Sequence, residues 1–256
     1  MQRCAAPARL LFAAKVQISF TPQQQRGAST AVSHVSKKAT AMPQKPARGA
    51  CTTYRRAKDE GYRARSAFKL MDIDDAYGLL RGAKSVVDLC AAPGSWCQVL
   101  QQRCPNCKIV AVDVQAMQPL DGVTVLQGDI TAPDTLSSIQ KACSGKADVI
   151  ICDGAPEVSG LHDVDEHAHD ALLYAASSVC DTNLRAGGCF VAKIFRSECD
   201  LLVDRLRCRF SDVAVAKPPS SRDRSGEAFV VCRGFGGLAD ERVVPFLERG
   251  DLSGYT

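Results

Sequence analysis

Three charged residues sit where apolar runs end or pass through a core, and their types suit proton transfer. Gly187 to Phe195 reads as a strand covered on both faces, with Lys193 in its interior. Desolvating an ammonium there costs on the order of several kcal/mol unless it is paired or neutral, which points to a functional lysine over a chance placement near a strand end. Asp153 closes the apolar run Ala147 to Cys152, and Glu227 opens the run to Cys232 after the turn Pro218 to Gly226. If Val213–Lys217 and Glu227–Cys232 make a hairpin, Glu227 returns to the edge where the parallel strands end. Asp153, Lys193 and Glu227 can then meet as one coupled set able to accept or give a proton.

The elements that must position them follow from a strand, loop and helix start at Ser85 to Gln98. A β-rich run (Ser85 to Leu89) meets a turn of small residues (Ala91, Ala92, Pro93, Gly94), and an amphipathic run opens at Ser95. In an open α/β sheet a ligand lies beyond the carboxyl ends of the strands, so this loop is where a cofactor would rest against backbone. Further strands are expected at Lys108–Asp113, Val123–Gln127 and Ala147–Cys152. Acids therefore stand at four strand ends (Asp88, Asp113, Asp129, Asp153), more than helix caps alone require, although each singly reads equally well as a cap. Asp113 lies about 20 residues after the loop glycine, where a nucleotide-binding unit carries its ribose-binding carboxylate. The Gly-x-Gly-x-x-Gly cradle for a pyrophosphate is absent, so a cofactor without phosphates fits better than a nicotinamide or flavin.

One helix is expected between Tyr54 and Leu80, one from Asp165 to about Leu184 and one from Glu198 to Arg209. His162, His167 and His169 crowd with acids, but Asp163 to Glu166 reads as a helix start with acids facing the positive end of the dipole, and no metal site is assigned. Cys104-Pro-Asn-Cys107 lacks two further ligands in register and reads as the cap of a helix-to-strand turn. The thirteen scattered cysteines point to free thiols in a reducing compartment.

The stretch Asp88-Leu-Cys-Ala-Ala-Pro-Gly-Ser-Trp-Cys-Gln-Val-Leu100 resembles the first motif of the FtsJ family of S-adenosylmethionine-dependent RNA ribose 2'-O-methyltransferases. The resemblance runs from about Tyr54 to the C-terminus and implies a Rossmann-like α/β methyltransferase fold: a mostly parallel sheet with one antiparallel strand and helices on both faces. It places the family's Lys-Asp-Lys-Glu set on Lys69 (in Arg65-Ser-Ala-Phe-Lys-Leu70), Asp153, Lys193 and Glu227. Without it, Lys69 is an ordinary lysine beside an apolar stripe. Cofactor contacts fall on Gly94, Trp96, Asp113, Asp129 and Asp153, with no metal. The finer wording is similar to the eukaryotic tRNA branch, which methylates anticodon-loop riboses: Ala111-Val-Asp-Val-Gln-Ala-Met117, Gly160-Leu-His-Asp-Val-Asp-Glu166, and Val244-Pro-Phe246 with Gly250-Asp-Leu-Ser-Gly-Tyr255. A ribosomal RNA or mRNA-cap enzyme would use the same four residues. A non-catalytic S-adenosylmethionine- or RNA-binding module is the alternative of another class, and the intact set argues against it.

Charge and the chain ends bear on partners. Eleven Lys or Arg precede the first acid, Asp59, leaving 21 basic against 28 acidic residues beyond, a body of net −7. RNA affinity must then come from the basic N-terminal segment and local patches such as Arg63, Arg65 and Lys69, or Arg196 through Arg224, and an accessory protein subunit is expected beside tRNA, with neither membrane nor DNA as partner. Residues 1–50 read as a disordered or targeting extension, 51–235 as the methyltransferase domain and 236–256 as a tail. A cytoplasmic location is expected, or a mitochondrial one if residues 1–50 are a transit peptide.

Overall fold

The computed structural model describes residues 50–155, 162–195, 199–222 and 225–237. The expected extension before Ala50, the Gly160-Leu161 start of the branch wording and the tail beyond residue 237 lie outside the described residues. Seven strands form one sheet: β1 (Ser85–Leu89), β2 (Lys108–Asp113), β3 (Val123–Gln127), β4 (Ala147–Cys152), β5 (Leu184–Phe195), β6 (Phe210–Ala216) and β7 (Glu227–Phe235), in the order β3-β2-β1-β4-β5-β7-β6. Neighbours from β3 through β5 pair in parallel, and β7 runs antiparallel to both β5 and β6. This is the mostly parallel sheet with one antiparallel strand that the resemblance implies. All five residues of the central β1 are buried, including Asp88.

Helices cover both faces. The side chains of α2 (Ala67–Tyr77) and α3 (Ser95–Arg103) join one apolar layer around Leu70, Ile73, Val99, Leu100 and Phe229. On the other face α4 (Pro133–Cys143), α5 (His162–Asn183) and α6 (Cys199–Arg207) pack Ile139, Ala176, Val179 and Leu206 against Val87, Ile150 and Phe190. The order of strands places the crossover of the chain between β1 and β4, and the cofactor-type loop after β1 opens at that switch point.

Two expectations about helices change. The single helix expected over 54–80 is two, α1 (Ala50–Asp59) and α2, because Gly61 adopts φ 74° and the Tyr62 amide reaches back to the Ala57 carbonyl at 2.8 Å. That six-residue closure with glycine in the left-handed region ends a helix. Helix α4 was not expected. Its Pro133 start and its Leu136, Ile139, Cys143 spacing carry the signal, and Ile139 and Cys143 are buried.

Cys104 caps α3, its amide bonding to the Leu100 carbonyl at 2.8 Å, as the turn reading expects. It is joined to Cys107 by a disulfide, which corrects the expectation that all cysteines are free thiols. Among the described residues no helix is long and apolar enough to cross a membrane.

Asp148 ties the amino-terminal edge of the sheet together. Its Oδ2 accepts the amides of Lys84 at 2.7 Å and Ser85 at 2.9 Å, and its Oδ1 pairs with Arg185. Burial pushes this carboxyl up, but Arg185 and the two amides outweigh it and hold it below its ordinary value. Asp148→Ala should lower unfolding stability by about 1–2 kcal/mol near neutral pH, measured by urea denaturation. A carboxyl depressed in the fold stabilises above its unfolded value, so the difference from wild type should shrink as pH falls below about 4.

Candidate active site

Four elements far apart in sequence bring four charges together at the carboxyl edge of the sheet. Lys69 stands on α2, Asp153 follows β4, Lys193 lies near the end of β5 and Glu227 begins β7. Lys69 Nζ donates to Glu227 Oε2 at 2.7 Å and lies 3.8 Å from Asp153 Oδ1. Lys193 Nζ donates to the Asp153 backbone carbonyl at 2.8 Å and lies 3.5 Å from the same Oδ1. The second oxygen of Glu227 accepts the Ser221 hydroxyl at 3.0 Å. Lys69 and Lys193 are only 9% and 8% exposed, so these ammoniums depend on the carboxylates beside them.

The two carboxylates respond differently to their surroundings. Burial pushes Glu227 up, yet the hydrogen bond and charge of Lys69 and the Ser221 hydroxyl overcome it and hold the carboxyl below its ordinary value. Asp153 is raised, because burial outweighs the Lys69 and Lys193 charges and Glu227 adds to the rise. Its Oδ1 is buried, and the donors facing it, Lys193 Nζ at 3.5 Å and Lys69 Nζ at 3.8 Å, stand beyond close hydrogen-bond distance. A buried acceptor left open in this way is a site prepared for a further donor.

The turn Pro218 to Ser221 is fixed to α2, since Asp72 Oδ2 accepts the Ser220 amide at 2.8 Å. Ser221 is thereby set against Glu227. Its role was invisible in sequence because the pairing depends on how the turn folds back onto α2.

The loop after β1 lies beside this cluster. Gly94 adopts φ 102°, and a Cβ there would stand 3.0 Å from Arg63 Nη1 and Met117 Sδ and 3.1 Å from Leu120 Cδ1. A side chain at 94 would both strain the backbone and press on Arg63, Met117 and Leu120. Asp113 organises the loop: Oδ2 accepts the Ala92 amide at 2.9 Å and Oδ1 the Gln115 amide at 2.8 Å. Asp129 accepts the Thr131 amide and hydroxyl, both at 2.8 Å, on Oδ1. Each carboxylate retains lone pairs for ligand hydroxyls or amines.

Trp96 sits differently from the other residues expected at the cofactor. Its indole is 2% exposed, donates to the Ser66 carbonyl at 2.8 Å and packs 5.8 Å from the Phe229 ring. Its backbone amide lies in the first turn of α3, where helix amides have no intrahelical acceptor. Asp88, the fourth strand-end acid, is 1% exposed and bonded by Cys97 Sγ at 3.1 Å, so it serves the core beneath the loop.

Arg63 is the functional residue that sequence reasoning treated only as part of a basic patch. Its Nη1 donates to the carbonyls of Pro93 at 3.0 Å and Gln118 at 2.7 Å, and its Nη2 to that of Pro119 at 2.8 Å. Gln98 fixes the same segment, accepting the Arg63 amide at 2.8 Å and donating to the Gly61 carbonyl at 2.9 Å. One guanidinium thus clamps the loop after β1 to the loop after β2. Three backbone acceptors on two loops leave no sequence signature.

Residues 62–235 match the model of the FtsJ-like methyltransferase family. The chain is 47% identical over 232 residues to a mouse tRNA (cytidine(32)/guanosine(34)-2'-O)-methyltransferase, with 79% of this chain and 72% of the relative covered. It is 42% identical over 179 residues to the ribosomal RNA large subunit methyltransferase E of Methanothrix thermoacetophila, covering 70% of each. Among solved structures, a ribosomal RNA methyltransferase from Plasmodium falciparum superposes with a TM-score of 0.62 at 27% identity, over 69% of this chain and all of that one.

Burial first, then the charges of Asp153 and Asp113, raises Asp88 to about 7 against the Cys97 hydrogen bond. A carboxyl raised in the fold holds its proton longer than the unfolded chain does. Unfolding free energy should therefore fall as pH rises from about 4 through 7, and Asp88→Asn should flatten that part of the profile in denaturant titrations. Independently, Gly94→Ala should weaken S-adenosylmethionine binding at least tenfold by calorimetry with the circular dichroism spectrum unchanged. Equal affinity would remove Gly94 from the cofactor site.

Proposed function

We propose that this chain, which belongs to the FtsJ-like methyltransferase family, methylates ribose 2'-hydroxyls in the anticodon loop of tRNA with S-adenosylmethionine as donor. The observation that carries the reading is the Lys69–Glu227 and Lys193–Asp153 cluster, buried at the sheet edge beside the Gly94 loop. The residues present suit the cofactor. The left-handed Gly94 turn leads the loop directly into α3, whose Ser95 to Cys97 amides suit its carboxylate, while Asp113 and Asp129 suit its hydroxyls and amine and Asp153 Oδ1 suits its ammonium.

When bound, S-adenosylmethionine supplies a methyl group already activated by its sulfonium charge. What remains for the protein is alignment of the acceptor hydroxyl and removal of its proton. Alignment alone can contribute roughly 7 to 11 kcal/mol. Lys193 is the proton acceptor in this reading: once its ammonium has released a proton to solvent, the amine keeps an N–H for the Asp153 carbonyl and offers its lone pair to the hydroxyl. Lys69, paired with Glu227, stabilises the negative charge that develops on the 2'-oxygen. Asp153 stands between the two lysines, so the four groups titrate as one system.

The acidic body supports a second element of the proposal, an accessory protein subunit that carries much of the tRNA contact. Full-rate methylation of anticodon-loop riboses by the purified chain alone would remove it. A ribosomal RNA substrate is favoured by the archaeal relative and by the Plasmodium structure, and mapping 2'-O-methylation across total RNA after depletion of the protein separates the two.

Lys193→Met keeps the stem in the strand and removes the amine. It should lower the single-turnover rate at least a hundredfold while S-adenosylmethionine affinity stays within about threefold, measured on the same folded sample. Methylation within a few-fold of wild type would leave alignment as the main catalytic device.

A further inference from the structure

Phe195 is the last residue of β5, and the register pairs it with Glu227, as it pairs Lys193 with Phe229. Directly opposed residues on antiparallel strands project to the same side with Cβ atoms about 4.5–5.5 Å apart, and residues two apart on a strand share a face. Lys193, Phe195, Glu227 and Phe229 therefore leave the ladder on one side, and at the strand end the Phe195 ring reaches round to His169 on α5. Phe229, the inner aromatic of the four, is fully buried and packs on Trp96, whereas Phe195, at the outer end, is 44% exposed. A large apolar ring at the open rim of a cluster of charges does nothing for that cluster's solvation.

The ring is nevertheless held. His169 on α5 meets it edge-on, with centroids 4.7 Å apart and an interplanar angle of 60°. His169 is 4% exposed and lies against the backbone of Lys193. Burial, reinforced by the Lys193 charge, lowers the imidazole to about 4, so it is uncharged at neutral pH. A neutral ring wedged beside Phe195 limits its rotation and leaves a flat apolar surface beside Glu227.

We propose that Phe195 is a substrate-stacking residue, on which a base of the RNA lies while its ribose 2'-hydroxyl is presented to Lys193. This rests on the reading of the site as a ribose methyltransferase. Of the parts of an RNA strand, only the base is flat and apolar enough to match the ring, since sugar and phosphate are polar and hydrated. A face beside Glu227 is within one nucleotide's reach of the amine two residues back along the same strand. Stacking tolerates any base, because every base has a π-face. It therefore suits a site that takes both a cytidine and a guanosine.

The test uses the full chain, an unmethylated tRNA anticodon stem-loop and two variants. Phe195→Leu keeps apolar bulk against His169 but removes the π-face; it should raise the half-saturating RNA concentration in single-turnover methylation roughly 5- to 150-fold, with S-adenosylmethionine affinity unchanged. Phe195→Trp should recover RNA affinity relative to Phe195→Leu. Because Trp96, the sole native tryptophan, is buried, the new indole should also report directly through quenching by the RNA. Phe195→Leu matching the parent's RNA dependence would overturn the proposal, as would no quenching of Phe195→Trp by the stem-loop or by any single-stranded RNA. If both variants instead lose thermal stability alike and RNA dependence follows folded protein, the ring only packs, and the proposal is equally overturned. Quenching by single-stranded RNA without methylation of any tRNA would uphold stacking while removing the tRNA reading.

Discussion

The arrangement of the carboxyl edge depends on Asp153 being shared between two buried lysines. Its backbone carbonyl holds Lys193 and its carboxylate faces both ammoniums, while Glu227 neutralises Lys69 from the other side. Taken as a stabilising feature such a cluster is a poor choice, because desolvation of buried ions roughly cancels their attraction, and loss of one member leaves an uncompensated charge worth about 3–5 kcal/mol. In the proposed function its place at the sheet edge serves chemistry instead. The charges cannot drift, since β4, β5, β7 and α2 are each fixed by ladder or core contacts.

That constraint accounts for the one antiparallel strand. A parallel β7 would start at the opposite edge and carry Glu227 away from Lys69. Running it back from β6 returns its first residue to the register of Phe195. The turn before it is then secured twice, by Asp72 on the Ser220 amide and by Ser221 on Glu227. The same reversal sets Phe229 beneath Lys69, 5.6 Å from its ammonium, and against Trp96, so Lys69 and the first turn of α3 rest on one ring.

The cofactor loop is governed by a separate device. Arg63 satisfies three backbone carbonyls from two loops, and Gly94 leaves room for its guanidinium. The break between α1 and α2 is what brings Arg63 there. A continuous helix through Gly61 would carry Arg63 and Ser66 along its own axis, away from Pro93 and the Trp96 indole.

Much of this was legible in the sequence. The strand runs, the small-residue loop, the strand-end acids and the lysine inside an apolar run follow from periodicity and from the cost of burying charge, which are local properties of the chain. The meeting of Asp153, Lys193 and Glu227 followed from one topological step, the final hairpin. Lys69 was unremarkable by its spacing, because its role comes from a carboxylate 158 residues away. Only the tertiary structure turned the Trp96 indole into the core and gave Arg63 its three carbonyls. It alone buried Asp88 under Cys97 and set Ser221 on Glu227. Each of these is decided by a partner contributed by another element, and no pattern within a single segment encodes which element will arrive.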